Sequence, residues 1–242
     1  MSSNRRTAVV AGVFFLITEV SAVAGLVLYQ PALSDPAYVA GAGQDARVAL
    51  GALCEVILAV AVVGTAVTLY PALRRQNEGM ALGYVAGRLL EAAVISVGIV
   101  SVLSLVTLRQ DGPAAGTDES AIVGVGQVLV AVHDWTFLVG PSLFLGMNSL
   151  LLAWLMHQSG LVPRIITRLG LVGGPLVAAS GLGVLFGLYG PAAHAVSAVP
   201  VFAWEVSFAV YLITRGFRTH EGSGGGSIPA GGSLRPRAAA SR

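Results

Sequence analysis

Seven ionisable side chains stand where an apolar sequence has little room for them. Glu19, Glu55, Arg88, Glu91 and Glu205 each interrupt a run of Val, Leu, Ala and Ile, and the pair His133-Asp134 heads another such run. A charged residue at the centre of a membrane helix costs roughly 2.5–3.5 kcal/mol to insert, so five within apolar runs call for a compensating role. Side chains of these types take up and release protons, bind a cation or a small polar molecule, or pair with one another. Oxygen and imidazole donors also suit Zn, Mn or Fe, which keeps a metal site built from Glu, His and Asp open. The bland use is equally physical: Arg88 and Glu91, at i and i+3, pair and hold helices in register. His133-Asp134-Trp135 doubles as an interfacial cap with an aromatic anchor. His157, His194 and His220 fall near ends or in loops and read as ordinary.

The elements that must position these residues are membrane helices. The chain has 242 residues, 55% hydrophobic and 11% charged, against roughly 25% charged in a soluble domain. About 20 apolar residues cross the ~30 Å hydrocarbon layer as a helix. Six stretches qualify: 7–29, 48–69, 80–105, 135–156, 169–189 and 196–213. Pro31, Pro71, Gly112-Pro113, Gly160 with Pro163 and Gly190-Pro191 punctuate them. The N-terminal run continues past a cleavage-like Ala22-Val23-Ala24 and contains Glu19, so it reads as the first span rather than as a leader. Residues 120–158 stay apolar too long for one span, which suggests a short extracytoplasmic helix over 120–132, interfacial or partly inserted, leading into a fourth span kinked at Pro141. The expected fold is therefore all-α, a polytopic bundle of six transmembrane helices.

Charge sets the orientation. Arg5, Arg6, Arg74, Arg75, Arg164, Arg168, Arg215 and Arg218 fall in alternate connections; the opposite ones hold Arg47 and Arg109 beside Asp35, Asp45, Asp111, Asp118 and Glu119. The positive-inside rule then puts both ends in the cytoplasm. All 14 cationic residues are Arg, in keeping with a GC-rich bacterial genome and hence the bacterial inner membrane. Tyr29, Tyr70, Trp135, Trp154 and Tyr189 lie near span ends as interfacial aromatics. Residues 1–218 form the membrane domain. From Thr219 the chain is rich in Gly, Ser, Pro and Arg and is expected to be a disordered tail.

Depth counting puts Glu19 and Glu91 near mid-membrane, Glu55 and Glu205 in the outer half, and Arg88 one turn inward of Glu91. His133 and Asp134 sit at the outer mouth of the fourth span, so the whole set converges in the outer half of the bundle. Tyr84, Arg88, Glu91 and Gly98 share a helix face, as do Glu55, Gly51, Ala52 and Ala59. Gly83 with Gly87, and Gly183 with Gly187, have the spacing of close helix contacts. Cys54 is the only cysteine, so no internal disulfide forms.

The chain contains no H-E-x-x-H, no G-x-S-x-G and no P-loop, and Gly124-Val125-Gly126 lacks a third glycine. A net charge of +2, scattered, excludes a nucleic-acid partner. No motif specifies a cofactor, a metal or an oligomeric state; the partner that composition does specify is the lipid bilayer. Three functional readings follow. One is a non-enzymatic membrane protein whose buried polar site takes a proton, a cation or a small polar ligand, for transport or sensing. A second is a membrane-embedded enzyme, metal-dependent or not, using His133, Asp134 and nearby glutamates. A third is a structural or assembly subunit.

Several short stretches, in order, resemble the bacterial domain-of-unknown-function family 4386. They are Arg88-Leu89-Leu90-Glu91-Ala92, His133-Asp134-Trp135-Thr136-Phe137 through Gly140, Ser159-Gly160-Leu161-Val162-Pro163-Arg164, Trp204-Glu205 and Arg215-Gly216-Phe217. The resemblance runs from Arg6 to Arg218. Where the family usually has Lys-Gly near the end of the last span, this chain has Arg215-Gly216, which keeps a cationic anchor. The resemblance implies a small multi-pass membrane protein and marks Arg88, Glu91, His133, Asp134, Ser159, Pro163, Arg164 and Glu205 as motif positions. It implies no substrate.

Overall fold

The computed structural model describes residues 3–41, 43–112 and 118–218. The expected tail from Thr219 lies outside them. The described residues are helical throughout, joined by short turns: α1 Ser3–Ser34, α2 Asp45–Leu73, α3 Glu78–Asp111, α4 Glu119–Leu138, a π-helical turn Val139–Phe144, α5 Leu145–Ser159, α6 Arg164–Leu185 and α7 Pro191–Thr214. Six of the resulting rods are long and apolar enough to cross a membrane, α4, the π-turn and α5 counting as one 41-residue rod. Their apolar side chains face outward as well as inward: Val60, Val100, Val128 and Val172 are all exposed, as befits helices whose solvent is lipid.

Sequence neighbours pack side by side, and α7 closes the ring against α1. Arg5 fastens this closure. Its guanidinium donates to the carbonyls of Leu212 (3.0 Å), Ile213 (2.8 Å) and Thr214 (3.1 Å), acceptors in the last turn of α7. Both described chain ends therefore lie at one end of the bundle, the terminal end.

The helices outrun the stretches read from sequence because two prolines do not end them. Pro31 lies within α1 and Pro71 within α2. Proline removes the N–H that would pair with the carbonyl four residues back. At Pro31 that carbonyl belongs to Val27, and Arg47 of α2 donates to it at 3.0 Å. True stops are made otherwise: α5 ends at Gly160 in the left-handed conformation (φ +65°), while Asn77 caps α3 through Met80 N (2.9 Å). Asp118 caps α4 by accepting from Ser120 N (3.1 Å), and the bonds from Ser120 hold its carboxyl below the usual range.

The separate interfacial helix does not form. Residues 120–132 belong to an unbroken rod that continues through the π-turn into α5. The absent N–H of Pro141 is absorbed by one wide turn, closed by Leu145 N to Gly140 O, instead of by a break.

Two cores stack along the bundle. The core at the terminal end, around Phe15, Leu69, Tyr84, Leu152, Trp204 and Phe208, draws on α1, α2, α3, α5, α6 and α7. The distal core, around Tyr29, Val48, Ile95, Ile99, Leu105 and Ile122, draws on α1 to α4 only. Helices α6 and α7, of 22 and 24 residues, are shorter than α1 to α3, of 32, 29 and 34. At the distal rim Asp45 accepts from Tyr38 Oη (2.8 Å), Arg109 Nε (2.6 Å) and Gln110 Nε2 (3.0 Å), tying the first turn to the start of α2 and the end of α3. Burial, with the Asp45 carboxylate as acceptor, pushes the Tyr38 phenol up to about 12.

Candidate functional site

Arg88 is the hub of the terminal-end core. Two helices hydrogen-bond its guanidinium: Nη1 donates to both carboxyl oxygens of Glu91 at 3.1 Å and Nε to Tyr84 Oη at 3.3 Å, both on α3, and Nη2 to Glu205 Oε1 of α7 at 2.9 Å. The Arg88–Glu91 and Arg88–Glu205 pairs have at most 6% of any side chain exposed. Glu91 also accepts from Asn148 Nδ2 of α5 at 2.8 Å, and Tyr84 donates to Thr65 of α2 at 3.4 Å. From α1, the Glu19 carboxyl faces Glu205, Glu91 and Arg88. The guanidinium carbon lies 5.3 Å from the centre of the Phe15 ring, which supplies a cation–π face where water would otherwise be needed.

Periodicity on α3 explains the local arrangement. Tyr84, Arg88, Glu91, Ile95 and Gly98 are all buried, one face of one helix. Gly87 lets α5 approach: a Cβ there would collide with the Asn148 side-chain oxygen. The glycine spacings are otherwise less general than expected. Gly83 is exposed, and Gly187 sits in the α6–α7 turn at φ +70° rather than at a helix contact; Gly183 packs on Tyr189.

A second cluster lies in the distal core. Glu55 Oε1 and His133 Nε2 are 3.9 Å apart, both nearly fully buried. The Tyr29 ring meets the His133 ring edge to face at 5.4 Å, and its hydroxyl faces Glu55. Asp134, two-thirds exposed, lies 3.7 Å from His133 Nδ1. A cavity of about 70 Å³ abuts Glu55, lined also by Ala22, Ile95, Gly98, Thr136 and Pro141.

The seven residues therefore separate into two groups instead of one. Glu19, Arg88, Glu91 and Glu205 meet in the terminal-end core; Glu55, His133 and Asp134 meet in the distal one. Glu205 lies nine residues from the end of α7 and 14 from its start, level with Arg88 and not in the outer half. His133, expected at the outer mouth of the fourth span, is buried against neighbouring helices on α4, which is continuous with α5.

Tyr29, expected at an interface, is wholly buried. Sequence reading also passed over Asn148, although an amide inside an apolar run is itself a signal. It read His194 as ordinary, yet its Nε2 meets Ser142 Oγ of the π-turn at 2.8 Å and its Nδ1 meets Ser180 Oγ of α6 at 2.9 Å. Among the described residues, no three His, Cys, Asp or Glu side chains converge in the manner of metal ligands.

Six apolar helices around buried charged clusters define a multi-pass membrane protein in contact with the lipid bilayer. The chain belongs to the family described as domain of unknown function DUF4386, whose model matches residues 10–216. Comparison with curated proteins and with solved structures found no match.

Proposed function

We propose that this protein is a non-enzymatic proton-binding protein of the bacterial inner membrane, and that the site is Glu19, Glu91 and Glu205 around Arg88. One observation carries the reading: three carboxyl groups face a single guanidinium, with Glu91, Glu205 and Arg88 buried and Glu19 partly buried beside them. Arg88 keeps its proton under all working conditions, so it balances one carboxylate. With all three ionised the group carries a net charge of −2 away from water, which is strongly unfavourable. Protons are the smallest ligands that remove the excess, and proton uptake is the elementary step shared by transport and sensing. The Arg distribution supports cytoplasmic termini, with residues 1–218 as the membrane domain and 219–242 as a tail.

The structural reading also has an observation behind it, because the Arg88–Glu205 and Glu91–Asn148 bonds tie α3 to α7 and α5. Infrared titration of the carboxyl bands in lipid nanodiscs separates the two. Proton binding requires a carboxyl band that titrates and is lost in one of Glu19→Gln, Glu91→Gln or Glu205→Gln, each of which should retain its fold. Arg88→Met should cost about 3–5 kcal/mol, more than any single Glu→Gln, because it leaves buried carboxyls without a counter-charge. If Arg88→Met melts like the wild type and no glutamate titrates away from the ordinary value of about 4.3, the site does not exist.

A further inference from the structure

The Glu55–His133 group leaves its polar atoms unmatched. The 3.9 Å between Glu55 Oε1 and His133 Nε2 is too long for a hydrogen bond and suits an interposed water. Among the described residues, nothing lies within hydrogen-bond distance of the Tyr29 hydroxyl, which is buried and faces the same carboxyl, or of His133 Nδ1. Buried polar atoms are rarely left so, since each forfeits its bonds to water without a replacement. The charged and titratable groups around this point are Tyr29 from α1, Cys54 and Glu55 from α2, and His133 and Asp134 from α4; α3 contributes Gly98, which brings its backbone against His133 and Thr136.

The cavity beside Glu55 has the position of a connection. Ala22 and Ile95 in its wall stand three and four residues beyond Glu19 and Glu91, one helical turn from the Arg88 cluster. Its volume of about 70 Å³ exceeds the roughly 10–15 Å³ that a single water needs by the same measure. Thr136 and Glu55 give such waters polar partners. At the other side, His133 stands between the exposed carboxyl of Asp134 and the buried one of Glu55.

We propose that Tyr29, Glu55 and His133 bind a water molecule, and that this water and those of the adjoining cavity carry protons between Asp134 at the helix surface and the Glu19–Glu91–Glu205 group. The proposal rests on the proton-binding reading of that group. A proton accepted by His133 from the Asp134 side leaves through Nε2 to the bound water, which passes one on to the Glu55 carboxylate. Glu55 returns it to the cavity waters and so to Glu19 or Glu91, with Arg88 protonated throughout. One proton enters and one is delivered, and no other reactant is required.

The test is proton-uptake kinetics of the full-length protein in nanodiscs, following the carboxyl bands after a rapid pH jump. Tyr29→Phe keeps the ring and removes only the hydroxyl; Ala22→Leu fills the cavity; Glu55→Gln removes the relay carboxyl. Each should slow uptake by about tenfold, the rate equivalent of one net hydrogen bond removed from the path, with the titration midpoint of the Arg88 cluster little changed by Tyr29→Phe. Thermal unfolding checks that each variant is folded, and Tyr29→Phe preserves the test if the other two are not. A map that resolves waters should show one within hydrogen-bond distance of Tyr29 Oη, Glu55 and His133 Nε2. Wild-type carboxyls that titrate at a rate unaltered by Tyr29→Phe overturn the relay and leave the proton site standing. Wild-type carboxyls that do not titrate at all overturn both.

Discussion

At the scale of single residues, the molecule relies on close approaches that leave no slack. The Glu91 carboxyl is held by Arg88 and by Asn148, and the position of Asn148 depends on an absent methyl at Gly87. Gly87→Ala should therefore displace the Asn148 amide and leave Glu91 Oε2 with Arg88 as its one remaining donor. The expected loss is about 1–3 kcal/mol of stability, the cost of a strained contact plus a lost buried hydrogen bond. Thermal melts of Gly87→Ala against the double variant with Asn148→Ala measure it: the second substitution should restore part of the loss, and no difference between the two would mean that the amide moves aside freely. The Arg88 substitutions belong to the same scale, since they too turn on whether a buried charge retains its partner.

At the scale of elements, helix ends and helix interruptions are satisfied from neighbouring helices. Arg5 supplies the donors that the end of α7 lacks, and Arg47 supplies the one that Pro31 removes. Both are long side chains able to carry a guanidinium fork to main-chain oxygens. Arg5→Ala should lower stability by about 1 kcal/mol, within the range of cations at helix C-termini, and amide hydrogen exchange should accelerate in the last turn of α7 while the distal core stays protected. Unchanged exchange over residues 211–214 would show that solvent caps the helix equally well. The π-turn is the corresponding device within a rod: it keeps α4 and α5 continuous through Pro141 and turns Ser142 toward His194.

At the scale of the whole molecule, the ring of six rods places the two described ends together and residues 35–41, Asp111 and Asp118 at the opposite end. A topology with alternate connections on opposite sides follows. In a Cys54→Ser background, a cysteine at Ser34 should label with an impermeant thiol reagent applied outside intact cells, and one at Gln76 should label only after the membrane is opened. Labelling of both from the same side would refute the six-span arrangement. The stacking of a six-helix core on a four-helix core also separates the polar residues into two groups, with a cavity beside Glu55 in the distal one.

Composition and hydropathy alone determined the class of protein, the number of crossing rods and the suspect residues, because a bilayer imposes a length and a polarity that single segments must satisfy by themselves. The face shared by Tyr84, Arg88 and Glu91 was equally legible, since helical periodicity is local. Three things were not. The continuity of α4 through Pro141 depends on a wide turn packed against α3, and the burial of His133 against Tyr29 and Glu55 depends on how the rods pack. The survival of Pro31 inside α1 depends on an Arg side chain 16 residues further along the chain. The division of one supposed site into two was decided by rotation and register between helices, which fix Glu205 beside Arg88 and Glu55 beside His133. Those contacts join residues 117 and 78 positions apart, and such pairings come only from packing the rods together.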